Sequence, residues 1–257
     1  MAETQGRFVW YELMTTDLPA AQAFYTKVVG WAAQDAGMPD MTYILLNAGQ
    51  TQVGGMMTLP ETARAAGARP AWMGYVAVDD VDASTAKAKQ LGGTVHVPPT
   101  DIPNIGRFSM IADPQQAAIN LFKSAAPSQD PPLAPGTPGR IGWHELLATD
   151  WRTAFDFYGA LLGWQKSDVI DIGDMGSYQL FATGGEVIGG MFNRPPVMPM
   201  PFWLYYINVG DIDAATERVK SAGGQVVNGP MEVPGGDWII QGADPQGAMF
   251  ALVGKRG

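Results

Sequence analysis

Residues 6–31, GRFVWYELMTTDLPAAQAFYTKVVGW, return at residues 139–164 as GRIGWHELLATDWRTAFDFYGALLGW, with nearly half the positions identical. Downstream, VDDVDASTAKAKQLGG from Val78 is matched by VGDIDAATERVKSAGG from Val209, and ADPQQA from Ala112 by ADPQGA from Ala243. The offset between copies stays near 131–135 residues, which marks a tandem duplication.

Each copy divides again. Asp17, Asp80, Asp150 and Asp211 each close an alternating apolar run and open a helical pattern, which ends at Gly30, Gly92, Gly163 and Gly223. An aspartate ahead of a helix satisfies its free amide groups, and glycine past its end adopts the left-handed conformation cheaply. Ala21, Phe24, Tyr25 and Val28 share one helical face, as do Ala154, Phe157, Tyr158 and Leu161. Short β-type runs such as TYILLNA, QVGGMMT, SYQLFAT and MFALVG follow, broken by Gly, Asn and Asp-Pro turns. The pattern predicts strand, helix and three strands, four times over. It divides into a first domain over 1–123, with modules at about 6–60 and 70–123, and a second over 139–257, with modules at about 139–195 and 200–254. Between them, 124–138 is proline-rich, lacks periodicity and reads as a linker.

The composition narrows the function classes. A chain of 257 residues with 46% apolar and 16% charged residues can bury a large core. Its net charge of −9, with scattered acids, disfavours nucleic acid, which calls for Lys/Arg clusters. No run approaches the roughly 18 apolar residues of a membrane span, and MAETQGRF lacks a signal-peptide core, so a cytoplasmic protein is expected. With no cysteine there is no thiolate nucleophile and no sulfur-held zinc. No serine-hydrolase elbow, P-loop or dinucleotide fingerprint stands in its required context.

The TDLPAAQAFYTKVVGW and TDWRTAFDFYGALLGW segments, the DDVDA and GDIDA helix starts with their Gly-Gly ends, and the Asp-Pro-Gln turns resemble the vicinal oxygen chelate superfamily. That superfamily holds glyoxalase I, extradiol dioxygenases and bleomycin-resistance proteins. The tandem form is similar to a bacterial group labelled glyoxalase-like or hydroxylase. The resemblance implies an α+β glyoxalase fold, in which four βαβββ modules pair into two cup-shaped half-barrel domains with ligands on the inner faces. Fold alone does not fix the chemistry.

In metal-dependent members a first-strand histidine precedes the helix-opening acid by seven residues. The corresponding positions here are Trp10, Met73, Trp143 and Leu204. The family's final-strand glutamate corresponds to Asn120 and Ala251. The resemblance therefore implies cups without the usual metal ligands. Strand alternation points Trp10, Glu12 and Met14 into the first cup and Trp143, Glu145 and Leu147 into the second, with Tyr75 and Tyr206 also facing inward. His144 then faces the helix layer, where the first copy has Tyr11.

Glu12 and Glu145 are the candidate catalytic or ligand-binding acids. A carboxylate on a buried strand must be paired, hydrogen-bonded or protonated. Each is either an acid/base or binding group, or is tied to Arg7, Arg140, Arg107 or a tyrosine as scaffolding. The candidate ligand-binding residues are Trp10, Met14, Tyr75, Asn120, Trp143, Leu147 and Tyr206. Trp72, Trp203, Tyr43 and Tyr178 add aromatic surface with two readings, ligand stacking or core packing. Gly54-Gly55 and Gly189-Gly190 read as bulges, as sites of close backbone approach, or as relief of crowding. His96 reads as a surface or packing histidine.

The expected function is binding of a small hydrophobic or aromatic molecule, neutral or cationic, without a metal cofactor, as in bleomycin-resistance relatives. An enzyme is the alternative: a glyoxalase-type lyase or isomerase, or a dioxygenase-type oxidoreductase, using one divalent metal ion or a glutamate alone. A further alternative makes one cup purely structural. The expected partner is a small molecule, with no nucleic acid and no membrane, and the protein is a monomer or homodimer.

Overall fold

The computed structural model describes residues 4–127 and 132–257. The first module consists of β1 (Phe8–Thr15), α1 (Leu18–Val29), β2 (Ala32–Asp35), β3 (Tyr43–Ala48) and β4 (Thr51–Thr58). A short helix, α2 (Glu61–Ala65), leads to the second: β5 (Ala71–Ala77), α3 (Val81–Gln90), β6 (Thr94–Ile102), β7 (Gly106–Ala112) and β8 (Ala118–Ser124). The third is β9 (Ile141–Ala148), α4 (Trp151–Leu162), β10 (Gln165–Asp171), β11 (Ser177–Thr183) and β12 (Glu186–Asn193). The fourth is β13 (Phe202–Asp211), α5 (Ile212–Ser221), β14 (Gln225–Val233), β15 (Asp237–Ala243) and β16 (Met249–Lys255). Part of the expected linker, 128–131, lies outside the described residues, and 125–127 and 132–138 carry no helix or strand.

The strands form two mixed, eight-stranded sheets that do not close into barrels. Their orders are β2-β3-β4-β1-β5-β8-β7-β6 and β10-β11-β12-β9-β13-β16-β15-β14. This is an α+β glyoxalase fold, two modules to a sheet. Within each module the first strand lies parallel to the fourth, as β1 to β4 and β9 to β12, and the other neighbours run antiparallel. The aspartates cap as expected: Asp17, Asp80 and Asp211 each accept from the backbone amide three residues on, and Asp150 from that of Arg152. Gly30 and Gly163 close their helices with φ of 88° and 78°, where a side chain would be strained.

Packing groups the modules differently from the sheets. One compact unit joins the second and third modules, and the other joins the first and fourth. In the latter, Tyr25 of α1 sits fully buried between Trp72 and the fourth module. The Trp72 indole donates to the Tyr25 hydroxyl at 2.8 Å, and that hydroxyl donates to Asp244 at 3.2 Å. Burial, with the Asp244 charge behind it, holds the Tyr25 phenol well above the ordinary tyrosine range. The unit of the second and third modules repeats the motif: Trp203 donates to Tyr158 at 3.1 Å, and Tyr158 reaches the Ala117 carbonyl at 3.4 Å. Trp72 and Trp203 are therefore core residues on the helix side of their strands, which settles their two readings in favour of packing.

Candidate functional site

Alternation along β1 carries Leu13 and Tyr11 to the helix side, both buried, and leaves Trp10, Glu12 and Met14 on the opposite face. Tyr43, the first residue of β3, lies on that same face. Its hydroxyl donates to Glu12 Oε2 at 3.0 Å and accepts from the Trp10 indole Nε1 at 3.0 Å. Between β3 and β1 runs β4, and the β4 residue opposite Glu12 is Gly55. A β-carbon on Gly55 would fall on the Tyr43 hydroxyl and ring. Glycine at this position lets a tyrosine lie across one strand and reach a carboxylate on the next. Burial, and after it the Glu12 charge, push the Tyr43 phenol far above its ordinary range, so it stays a proton donor at neutral pH.

The third module repeats this construction. The Tyr178 hydroxyl donates to Glu145 Oε2 at 2.9 Å, Gly190 is the register partner of Glu145, and a β-carbon on Gly190 would fall on the Tyr178 ring. Phe192 flanks Tyr178 with ring centroids 5.6 Å apart. Glu12 and Glu145 are only 9% and 6% exposed. Of the partners weighed from the sequence, tyrosine donates a hydrogen bond to each acid. Arg7 pairs with Glu186, and Arg107 pairs with Asp82 and Asp101. The glycine pairs are explained by crowding. Gly55 and Gly190 admit a tyrosine ring, Gly54 faces the Tyr11 carbonyl, and Gly189 faces the His144 carbonyl and the Phe181 ring.

The remaining candidates divide by module. Trp143 is half-buried, and Leu147 is buried, two residues beyond Glu145 on β9. In the fourth module the buried Tyr206 accepts from Gln241 Nε2 at 2.8 Å. In the second, Tyr75 packs between Phe108 and Phe122, with centroids 6.2 and 6.0 Å away, and its register partner on β8 is Asn120. Asn120 is wholly buried, and its amide nitrogen and oxygen both lack hydrogen-bond partners.

His144 belongs to the other face. Its ring stacks on Phe8 at 3.9 Å, and Nδ1 lies 2.6 Å from the Ile188 carbonyl, which fixes Nδ1 as the protonated nitrogen. His96 is exposed on β6. Sequence reasoning left Tyr43 and Tyr178 off the list of site residues. The signal available was a tyrosine first or second in the third strand of each odd module, ahead of a Gly-Gly pair, in both copies.

The superfamily that the sequence resembles includes metal enzymes, whose centres need several His, Glu or Asp ligands. Among the described residues no group of three or more His, Cys, Asp or Glu side chains is arranged to hold a metal ion. Glu12 and Glu145 each engage a phenol, and the family's other ligand positions carry Trp, Met, Leu, Asn and Ala. This set does not fit a family-type divalent metal centre. What it offers is a buried carboxylate beside a phenol donor, among aromatic rings, able to accept a hydrogen bond, attract a cation or take up a proton. Among the described residues no helix is long and apolar enough to cross a membrane.

Comparison with known proteins agrees with the architecture. The chain is 34% identical over 252 residues to the protein named "Putative glyoxylase CFP32" of Mycobacterium tuberculosis, covering 97% of this chain and 95% of the relative. It is 30% identical over 289 residues to the anthracycline biosynthesis protein DnrV of Streptomyces peucetius, covering 98% and 94%. The crystal structure of the Mn(II)-bound glyoxalase from Novosphingobium aromaticivorans superposes with a TM-score of 0.67 at 20% identity, covering 99% of this chain and 83% of that one, a likeness of fold. The model of the Glyoxalase/Bleomycin resistance protein/Dioxygenase superfamily matches residues 7–121 and 140–252. With both halves matched and four βαβββ modules in place, the chain belongs to the glyoxalase/bleomycin resistance/dioxygenase superfamily.

Proposed function

We propose that this protein binds a small, flat, hydrophobic or aromatic molecule without the aid of a metal ion, using Glu12 and Glu145 as buried acceptors. The observation that carries this reading is the Trp10–Tyr43–Glu12 hydrogen-bond chain and its Tyr178–Glu145 counterpart. A carboxylate kept among aromatic rings and held by a phenol suits a ligand that is apolar around its edge and donates one hydrogen bond or carries one positive charge. The mismatch between the donor set and a divalent metal supports the metal-free form. A relative named for anthracycline biosynthesis is in keeping with a fused-ring aromatic ligand.

Thermal-shift and calorimetric titration with neutral and cationic aromatic probes tests the reading. A ligand at 100 times its Kd stabilises the fold by about 2.7 kcal/mol, well within range of a thermal shift. Glu12→Gln and Glu145→Gln should each weaken a cationic probe by about tenfold or more in their own half of the chain. Stoichiometric Mn, Fe, Ni or Zn in protein purified without chelators, lost in either variant, would sink the metal-free reading.

A second reading rests on the same pair. A carboxylate with a phenol beside it can take a proton from a bound carbon acid and return it, as a metal-free isomerase or lyase requires. Exchange of solvent deuterium into a bound ketone, abolished by Glu12→Gln or Glu145→Gln, distinguishes it from sequestration.

A further inference from the structure

Among the described residues, Asn120 is the polar side chain the fold leaves least provided for. It is wholly buried on β8, between register partners Tyr75 on β5 and Met110 on β7, and both ends of its amide lack a hydrogen-bond partner. The fourth module supplies a control within the same chain. There the corresponding triple is Tyr206, Ala251 and Gln241, and the amide sits on β15. It is satisfied: Gln241 Nε2 donates to Tyr206, and Gln241 Oε1 accepts from Asn228 at 3.3 Å. In the second module a methionine takes the glutamine's place and an asparagine the alanine's. The amide is thereby moved to the strand beside the tyrosine, and Val97 stands where the fourth module has Asn228.

Leaving a buried donor and acceptor unpaired forfeits the hydration of both, so such a group persists where something outside the fold pairs with it. A planar carboxamide presents its N–H and C=O side by side. Its complement is a ligand edge presenting C=O and N–H side by side. We propose that Asn120 reads the cis amide edge, a primary carboxamide or a lactam, of a flat aromatic ligand lying against Tyr75, Phe108 and Phe122. This rests on the aromatic-ligand reading above and names the polar group that ligand carries. The register partner of Asn120 on β7 is the half-buried Met110, an unbranched and adaptable side chain.

The test titrates the whole protein with naphthalene carboxamide, its methyl ketone and its hydrocarbon isostere, in wild type, Asn120→Ala and Asn120→Leu. Wild type should bind the carboxamide about tenfold or more tighter than the ketone, and the preference should fall to within about twofold in both variants. Asn120→Leu preserves the side chain's shape while removing the orphaned atoms, so its Tm should equal or exceed that of wild type by ~2–4 °C. A Tm several degrees lower in Asn120→Leu would mean that the amide is already satisfied inside the fold, and would overturn the proposal. Equal binding of amide and ketone by wild type would also overturn it while leaving aromatic binding intact. Binding of none of the probes would remove the aromatic reading and this inference together.

Discussion

At the scale of single residues, the chain places a carboxylate on a buried strand and then supplies it with a phenol from two strands away. Tyr43→Phe removes the 3.0 Å bond to Glu12 Oε2 and also strips the Trp10 indole of its acceptor. It should cost about 1–3 kcal/mol in urea denaturation, because a buried carboxyl group loses a donor. Gly55→Ala should cost about 1–3 kcal/mol as well and should displace Tyr43, since the added methyl group falls on its ring. Near-ultraviolet circular dichroism and tryptophan fluorescence would follow that displacement. His144→Phe keeps a ring against Phe8 but loses the bond to the Ile188 carbonyl. It should cost about 1 kcal/mol and leave ligand affinity unchanged. A loss of binding in that variant would return the histidine to the list of functional groups. Glu12 and Glu145 could be picked from the sequence because a carboxylate is conspicuous in an apolar strand. Tyr43 and Tyr178 escaped because a tyrosine at a strand start has no single reading until its neighbours across the sheet are known.

At the scale of elements, capping and turns decide where the pH dependence lies. Asp150 is held below the ordinary carboxylate range, chiefly by the Thr153 hydroxyl and then by the Arg152 amide. A lowered carboxyl favours the fold while ionised, so its contribution is present above the ordinary carboxylate pKa and is lost as pH falls through the lowered value. Asp150→Ala should cost about 1 kcal/mol at neutral pH, and the difference from wild type should shrink in strong acid. The Asp-Pro-Gln turns behave in the opposite sense. Asp113 and Asp244 are raised, first by burial, against backbone hydrogen bonds that pull them down. A raised carboxyl favours the fold while protonated. Its contribution is therefore complete below the ordinary carboxylate pKa and is lost as pH rises through the raised one. Relative to wild type, Asp113→Asn should be least stabilising in acid and gain as the pH approaches neutrality, read as the urea midpoint between pH 4 and pH 7. The helix of each module and its ends were legible because Asp and Gly act on adjacent backbone, whereas the short α2 between modules, capped by neither, was not. The burial of the turn aspartates was not, because the rings that cover them come from distant segments, as Tyr25 does for Asp244.

At the scale of the molecule, the two halves of the duplicated sequence depend on one another. Tyr25 of the first half bonds Asp244 of the second, Trp164 of the second donates to the Gly6 carbonyl at 2.7 Å, and Trp31 donates to the Gly139 carbonyl at 2.8 Å. Residues 1–123 or 139–257 expressed alone should therefore be poorly stable and prone to self-association, and co-expression should recover a soluble pair that co-purifies. A monomeric, cooperatively unfolding half would contradict this. The sequence by itself determined the duplication, the four modules, the cap residues and the presence of a carboxylate on two apolar strands, because each rests on local periodicity or on a repeat visible along the chain. Which modules pack together, which aromatic rings are core, and that a glycine opens the path from tyrosine to glutamate were decided only by the tertiary structure. Those outcomes depend on register across strands and on contacts between residues more than a hundred positions apart, which no local pattern encodes.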